Sequence, residues 1–157
     1  MTCSPAPRRA RANGKPWSFL HISKPEIDLD PAVYAKAAEN LQRMIAAGVL
    51  IRDPRPCYYV YRLTWRGRTQ TGLAAVAAVA DYDTNRIRKH ELTTPVKEDD
   101  RVRQIAAINA QTGPVMMAYP AAPEIDALLA SDAARPADVD VTADDGVRHQ
   151  LDRKSVV

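Results

Sequence analysis

The segment "CYYVYRLTWRGRTQTGL", Cys57 to Leu73, most constrains what this chain can fold into. Aromatic and β-branched side chains alternate from Cys57 to Trp65, a short "RGR" turn follows, and Thr69 opens a second run. Two such runs joined by so short a turn close a hairpin, so the fold must contain a sheet. The second run continues as "TQTGLAAVAAVADY". Its alanines favour helix by propensity alone. The hairpin and the "DYDTN" turn behind it favour a strand instead. Apolar on both faces, that strand is expected to be central and covered on both sides.

Helical patterns alternate with these runs. In "DPAVYAKAAENLQRMIAAG", Asp30 suits an N-cap, Pro31 suits the first helical position and Gly48 suits a left-handed stop. Val33, Tyr34, Ala37, Ala38, Leu41, Met44 and Ile45 fall on one stripe. "TPVKEDDRVRQIAAINAQTGP" predicts a second helix capped by Thr94, opened by Pro95 and ended by Gly113 and Pro114, with Val102, Ile105, Ala106 and Asn109 sharing a face. "PEIDALLAS" predicts a short third helix. "WSFLHIS" alternates as a strand, "KPEIDLD" follows as a loop and "PVMMAY" reads as a short strand. "DVDVTADDGVRHQL" reads as a hairpin whose Asp145-Gly146 pair suits a type I′ turn. Interleaved strands, hairpins and helices predict an α/β or α+β fold: a mixed sheet with two main helices packed on it.

Charge and composition exclude several function classes. Net charge is +3, with acids and bases mixed along the chain. The one segregated basic run, Arg8 to Lys15, lies in an irregular, Pro-rich start (residues 1–16) and reads as a frayed tail, so a nucleic-acid partner is not expected. Cys3 and Cys57 make neither a disulfide framework nor a metal set, and Cys57 is expected to be a small buried residue. Three scattered histidines do not make a zinc site: His21 reads as a strand residue with a satisfied ring, His149 as an exposed hairpin residue. No apolar run reaches membrane-spanning length and no signal peptide precedes the first elements, so a soluble cytoplasmic protein is expected. Nucleotide-binding glycine loops and the nucleophile elbow are absent. Tyr58, Tyr59 and Tyr61 could stack on bases, but alternating strand aromatics more often serve the core and cross-strand pairing.

The polar block "IRKHELTTPVKEDDR", Ile87 to Arg101, is the candidate site. It joins a strand end to a helix start, where α/β proteins bind anions. His90 and Glu91 could serve as a base and its neighbour. Lys97 and Arg101 place two cations four residues apart on one helix face, a cost of roughly 0.2–0.5 kcal/mol. Lys97 also stands at the positive end of the helix dipole. A bound phosphate or carboxylate would offset both effects. So would Glu98, Asp99 and Asp100, with Asp99 and Arg103 forming an i,i+4 pair, in which case the block is a solvated helix start.

Taken in order, "PWSFLHISKPEIDL", "VLIRDPRPCYYVYRL", "GRTQTGLAAVAAVADYDTNRIRKHE", Thr93, "KEDDR" and "NAQTGPV" resemble the DUF1015 family of uncharacterised bacterial proteins, from about Trp17 to Leu151. His90, Glu91, Thr93, Lys97, Asp100 and Arg101 each match the family's most recognisable block. The resemblance implies a longer parent, with a Pro-Pro-Tyr-Asp-like segment before this region and an Asp-Gly-His-His-Arg block after it. That later block is similar to the phosphate-contacting motif of ParB and sulfiredoxin-type proteins. By that analogy the parent would be a phosphate- or nucleotide-using enzyme, kinase-like, acting on a small hydroxylated metabolite with ATP and Mg²⁺. Glu91 would be the base and His90 its neighbour. Lys97, Arg101 and Thr93 would contact the anion, and Asp100 would orient Arg101 or share in holding a metal. A ParB-like ligand- or nucleic-acid-binding module, or a purely structural polar block, is the alternative. Similarity is lost at "DRKSVV", Asp152 to Val157, the six residues that a common short-read sequencing adapter encodes in one frame. We therefore expect residues 17–151 to be a partial domain, 152–157 to be read-through, the last strand to stop short, and the fragment to be poorly soluble and inactive.

Overall fold

The computed structural model describes residues 5–28, 31–90 and 93–155. Helices and an antiparallel sheet make an α+β fold whose chain divides into two compact units, residues 1–52 with 90–116, and 53–89 with 117–157.

The first unit is helical. It contains α1 (Pro5–Ala12), α2 (Leu20–Ser23), a 3-10 turn (Pro25–Asp28), α3 (Val33–Ala46) and α5 (Pro95–Ile108). Its core is Ile22, Ala37, Met44 and Ile108, with Ala38, Leu41 and Leu50 packed against it. Residues 5–12 form α1 where the sequence suggested an irregular, frayed tail. Its prolines, Pro5 and Pro7, fall in the first turn, where the missing N–H groups have no intrahelical partner to lose. Ala12 is buried, and Arg8 reaches Glu26 at 3.4 Å.

"WSFLHIS" turns into α2 instead of forming a strand. Only Ile22 is buried, while Trp17 and Phe19 stay exposed, so one helical turn serves the core better than an alternating strand with two faces. Arg43 covers the Trp17 ring, its Cζ 5.5 Å from the centroid. The start of α3 follows Ala32; Asp30, the expected cap, lies outside the described residues. Gly48 supplies the left-handed stop at φ +69°. Helix α5 ends earlier than "TGP", at Asn109, which takes the left-handed conformation (φ 49°) and donates its N–H to the Ile105 carbonyl. Its buried face is Gln104 and Ile108, whereas Val102 is exposed.

The second unit holds the sheet, with strand order β2-β1-β4-β3 and every pairing antiparallel. Strands β1 (Cys57–Trp65) and β2 (Arg68–Ala74) form the hairpin foreseen from the sequence. Arg66 and Gly67 both take positive φ, 49° and 74°, as a type I′ turn requires. The Ala/Val run departs from expectation. Strand β2 stops at Ala74, lies at the sheet edge and is largely exposed, so it is neither central nor covered. The chain is then irregular to Ala78 and coils into α4 (Val79–Asp83). Alanine gives a strand little to pack, so nothing extends the strand once pairing with β1 ends. "PVMMAY" also forms no strand, because no ladder partner reaches it.

Helix α6 (Pro123–Ala133) and the hairpin of β3 (Val139–Thr142) and β4 (Arg148–Ser155) complete the unit. The β3–β4 turn is not type I′, because only Gly146 has positive φ (80°). Ala143 donates to the Val147 carbonyl at 2.8 Å around an Asp144-Asp145-Gly146 loop closed by a left-handed glycine. Strand β4 does not stop at Leu151: Asp152 pairs in register with Val60, and Ser155 with Cys57. Arg62 and Asp152 form a buried ion pair at 2.9 Å, and Arg62 also donates to the Ala133 carbonyl of α6. His149 is half-buried rather than exposed, since it stacks on Tyr61 (centroids 6.1 Å apart) and its Nδ1 meets the Tyr61 hydroxyl at 2.7 Å. Cys57 is half-buried rather than buried, with its thiol directed at Asp53.

Candidate functional site

The polar block enters α5 through Thr94. Its backbone is extended and its carbonyl accepts the N–H groups of Lys97 and Glu98, although its side chain makes no capping bond. His90 and Thr93 are exposed on the chain leading to the helix, and Glu91 lies outside the described residues. Lys97 and Arg101 are exposed one turn apart on α5. The acids expected to neutralise them do not. Among the described residues Lys97 has no ion-pair partner, and Asp99 makes no pair with Arg103.

Arg101 is held from below. Its Nη1 donates to Gln104 Oε1 at 2.8 Å, and Gln104 Nε2 donates to the Ile22 carbonyl at 2.9 Å. A guanidinium can only donate and a carbonyl can only accept, so the two partners fix which way the amide faces. Gln104 is 3% exposed, which gives Arg101 a rigid support at its base.

Asp100, one turn before Gln104, bonds to α3 instead. Its Oδ1 accepts the Tyr34 hydroxyl of α3 at 2.8 Å. That bond, then partial burial, raises the Tyr34 pKa above the usual tyrosine value. The pair borders an open cleft of about 450 Å³ whose wall includes Ser23, Lys24, Glu26 and Gln104. Of the five described residues singled out from the sequence, Asp100 lines this cleft and Lys97, Arg101, Thr93 and His90 stand outside its wall. No cluster of three His, Cys, Asp or Glu able to hold a metal occurs among the described residues, nor a helix long and apolar enough to cross a membrane.

Sequence reasoning missed Gln104 and Tyr34, and also a polar knot behind them. His21 sets Nδ1 against Asp28 Oδ1 at 2.6 Å and Nε2 against the Lys15 carbonyl at 3.2 Å. Asn40, 1% exposed, donates to the His21 carbonyl and to Asp28 Oδ2, both at 2.9 Å. The legible signal was position: Asn40 falls between Ala37 and Met44, and Gln104 four before Ile108, each on a stripe that buries its neighbours.

A family model for the DUF1015 proteins, whose function is unknown, matches residues 2–154. The chain belongs to the DUF1015 family. No curated protein and no solved structure matches it. The match runs through both compact units, so the DUF1015 region takes in the polar block, the cleft and the sheet up to the penultimate residue of β4.

Proposed function

We propose that this DUF1015 chain supplies an anion-contacting half-site to a phosphate- or nucleotide-using enzyme acting on a small hydroxylated metabolite. The observation that carries the reading is the Arg101–Gln104–Ile22 relay beside Lys97, which has no ion-pair partner among the described residues. Two cations on one helix face without counter-ions are a cost in the free protein, and an oxyanion shared between them removes it. Arg101 would grip the anion in a fixed orientation and Lys97 would add charge. Glu91 and His90 stand as base and neighbour in this scheme, and Thr93 as a hydroxyl donor to the anion. Asp100 is engaged by Tyr34, so Gln104 rather than Asp100 orients Arg101. ATP with Mg²⁺ would supply the transferred phosphoryl group, and the described residues offer no metal cluster of their own.

Calorimetric titration with inorganic phosphate and with ATP, each with and without Mg²⁺, tests this. Arg101→Ala should weaken binding about ten-fold or more, in keeping with about 1.5–3 kcal/mol for a charge-assisted hydrogen bond. Lys97→Ala should weaken it less. Absence of binding by the unaltered protein, or binding indifferent to both replacements, sinks the proposal. A structural reading has its own support, since Asp100 and Gln104 tie α5 to α3 and α2. Under that reading Arg101→Ala and Glu91→Gln lower stability rather than binding.

A further inference from the structure

The outer edge of β2 is self-complementary, and we propose that it pairs with the same edge of a second copy of this chain. The argument starts from the hairpin. A two-residue turn at Arg66-Gly67 makes Trp65 and Arg68 a hydrogen-bonded pair, and antiparallel alternation then makes Leu63 with Gln70, Tyr61 with Gly72 and Tyr59 with Ala74 the next ones. Arg68, Gln70, Gly72 and Ala74 therefore turn their backbone groups inward to β1. Thr69, Thr71 and Leu73 turn theirs outward, and no partner takes them among the described residues.

Those outward residues fit their own copies. With a two-fold axis through Thr71, an antiparallel pairing sets Thr71 against Thr71 and Thr69 against Leu73. Each N–H then meets a carbonyl, and the contact closes on itself instead of propagating. Charge allows this register. From Thr69 to Ala80 no residue is charged. Arg68 falls opposite Ala74 of the second copy, so no like charges face each other along the paired strands. Natural edges are usually guarded by lysine, proline or a bulge, and this one has none of them. The pairing also shelters apolar surface that the single chain leaves in water: Leu73 is 51% exposed.

Hydrogen exchange combined with sedimentation equilibrium tests the pairing on the whole chain. At high concentration the protein should sediment with the mass of two chains, and the amides of Thr69, Thr71 and Leu73 should be protected. On dilution the mass should halve and those three amides should lose protection, while Gln70 and Gly72 keep theirs. Thr71→Pro removes an outward N–H, which a lone hairpin does not use, so it should give a folded single chain at every concentration. A single-chain mass for the unaltered protein at all concentrations overturns the proposal. So does protection of the three amides that dilution leaves unchanged, which would mean that the edge is covered within one chain. Open-ended association, or a two-chain mass retained in Thr71→Pro, overturns it as well.

Discussion

Asn40→Leu is the most informative single change in the helical unit. Leucine keeps the branched outline of the side chain but cannot donate. Two acceptors then lose the donor that Asn40, 1% exposed, supplies: the His21 carbonyl and Asp28 Oδ2. The bond to the neutral carbonyl contributes about 1 kcal/mol and the bond to the carboxylate about 2 kcal/mol. Leucine returns about 0.5 kcal/mol through its better helix propensity. The net loss is about 2–3 kcal/mol, a large share of the roughly 5–15 kcal/mol typical of a domain. Urea unfolding reads it. Trp17 is the tryptophan of this unit and Trp65 that of the other, so a Trp65→Phe background makes emission follow the helical unit alone. With a slope of about 2 kcal/mol/M, the midpoint should fall by about 1–1.5 M. A fall below about 0.3 M would refute the reasoning, because it would mean that water serves both acceptors as well as Asn40 does.

Three further outcomes follow from the ion pairs and tyrosines. Arg62→Ala leaves Asp152 buried and unpaired, and should cost about 3–5 kcal/mol by urea unfolding. Replacing both, as Arg62→Met with Asp152→Leu, should come much closer to neutral. Arg148 holds the Asp140 carboxyl below its ordinary pKa. Its contribution is therefore complete above the ordinary carboxylate range and lost as pH falls through the lowered value, so Asp140→Asn should flatten the acid limb of a stability–pH curve. The raised Tyr34 pKa works in the opposite direction. Its stabilisation is present below about pH 10 and disappears as pH rises through the higher folded value. In Asp100→Asn the Tyr34 hydroxyl should ionise at lower pH, read from tyrosinate absorbance.

Secondary structure was legible wherever local signals and tertiary demands agreed. The β1–β2 hairpin could be read from alternation and from the "RG" turn, and α3, α5 and α6 from apolar spacing and from the prolines that open α5 and α6. Where one local pattern admitted two structures, packing chose. Trp17, Phe19 and His21 alternate like a strand, yet Ile22 alone needed burial and a helical turn delivers it. The alanines after Gly72 suit a covered strand only if a further strand pairs with β2. In this chain β2 is the edge, so the run leaves the sheet at Ala75 and becomes helical only from Val79.

The site was legible only in its charges. Cations at Lys97 and Arg101 are visible in sequence because their spacing of four is itself a local conflict. The resolution of that conflict is not local, since it depends on which helix face turns inward. Val102, Ile105 and Ala106 promise an apolar face, but α5 is rotated so that Gln104 and Ile108 meet α2 and α3. A glutamine can take that place because it satisfies itself on both sides, giving its N–H to the Ile22 carbonyl and its oxygen to Arg101. This choice of face turns Arg101 from a flexible surface cation into a supported one. Gln104→Leu therefore separates support from charge: it leaves both cations in place, and under the anion-site reading it should weaken phosphate binding and reduce its discrimination between phosphate and sulfate. Phosphate binding that survives Gln104→Leu unchanged would show that charge alone suffices and that the relay to Ile22 serves the fold.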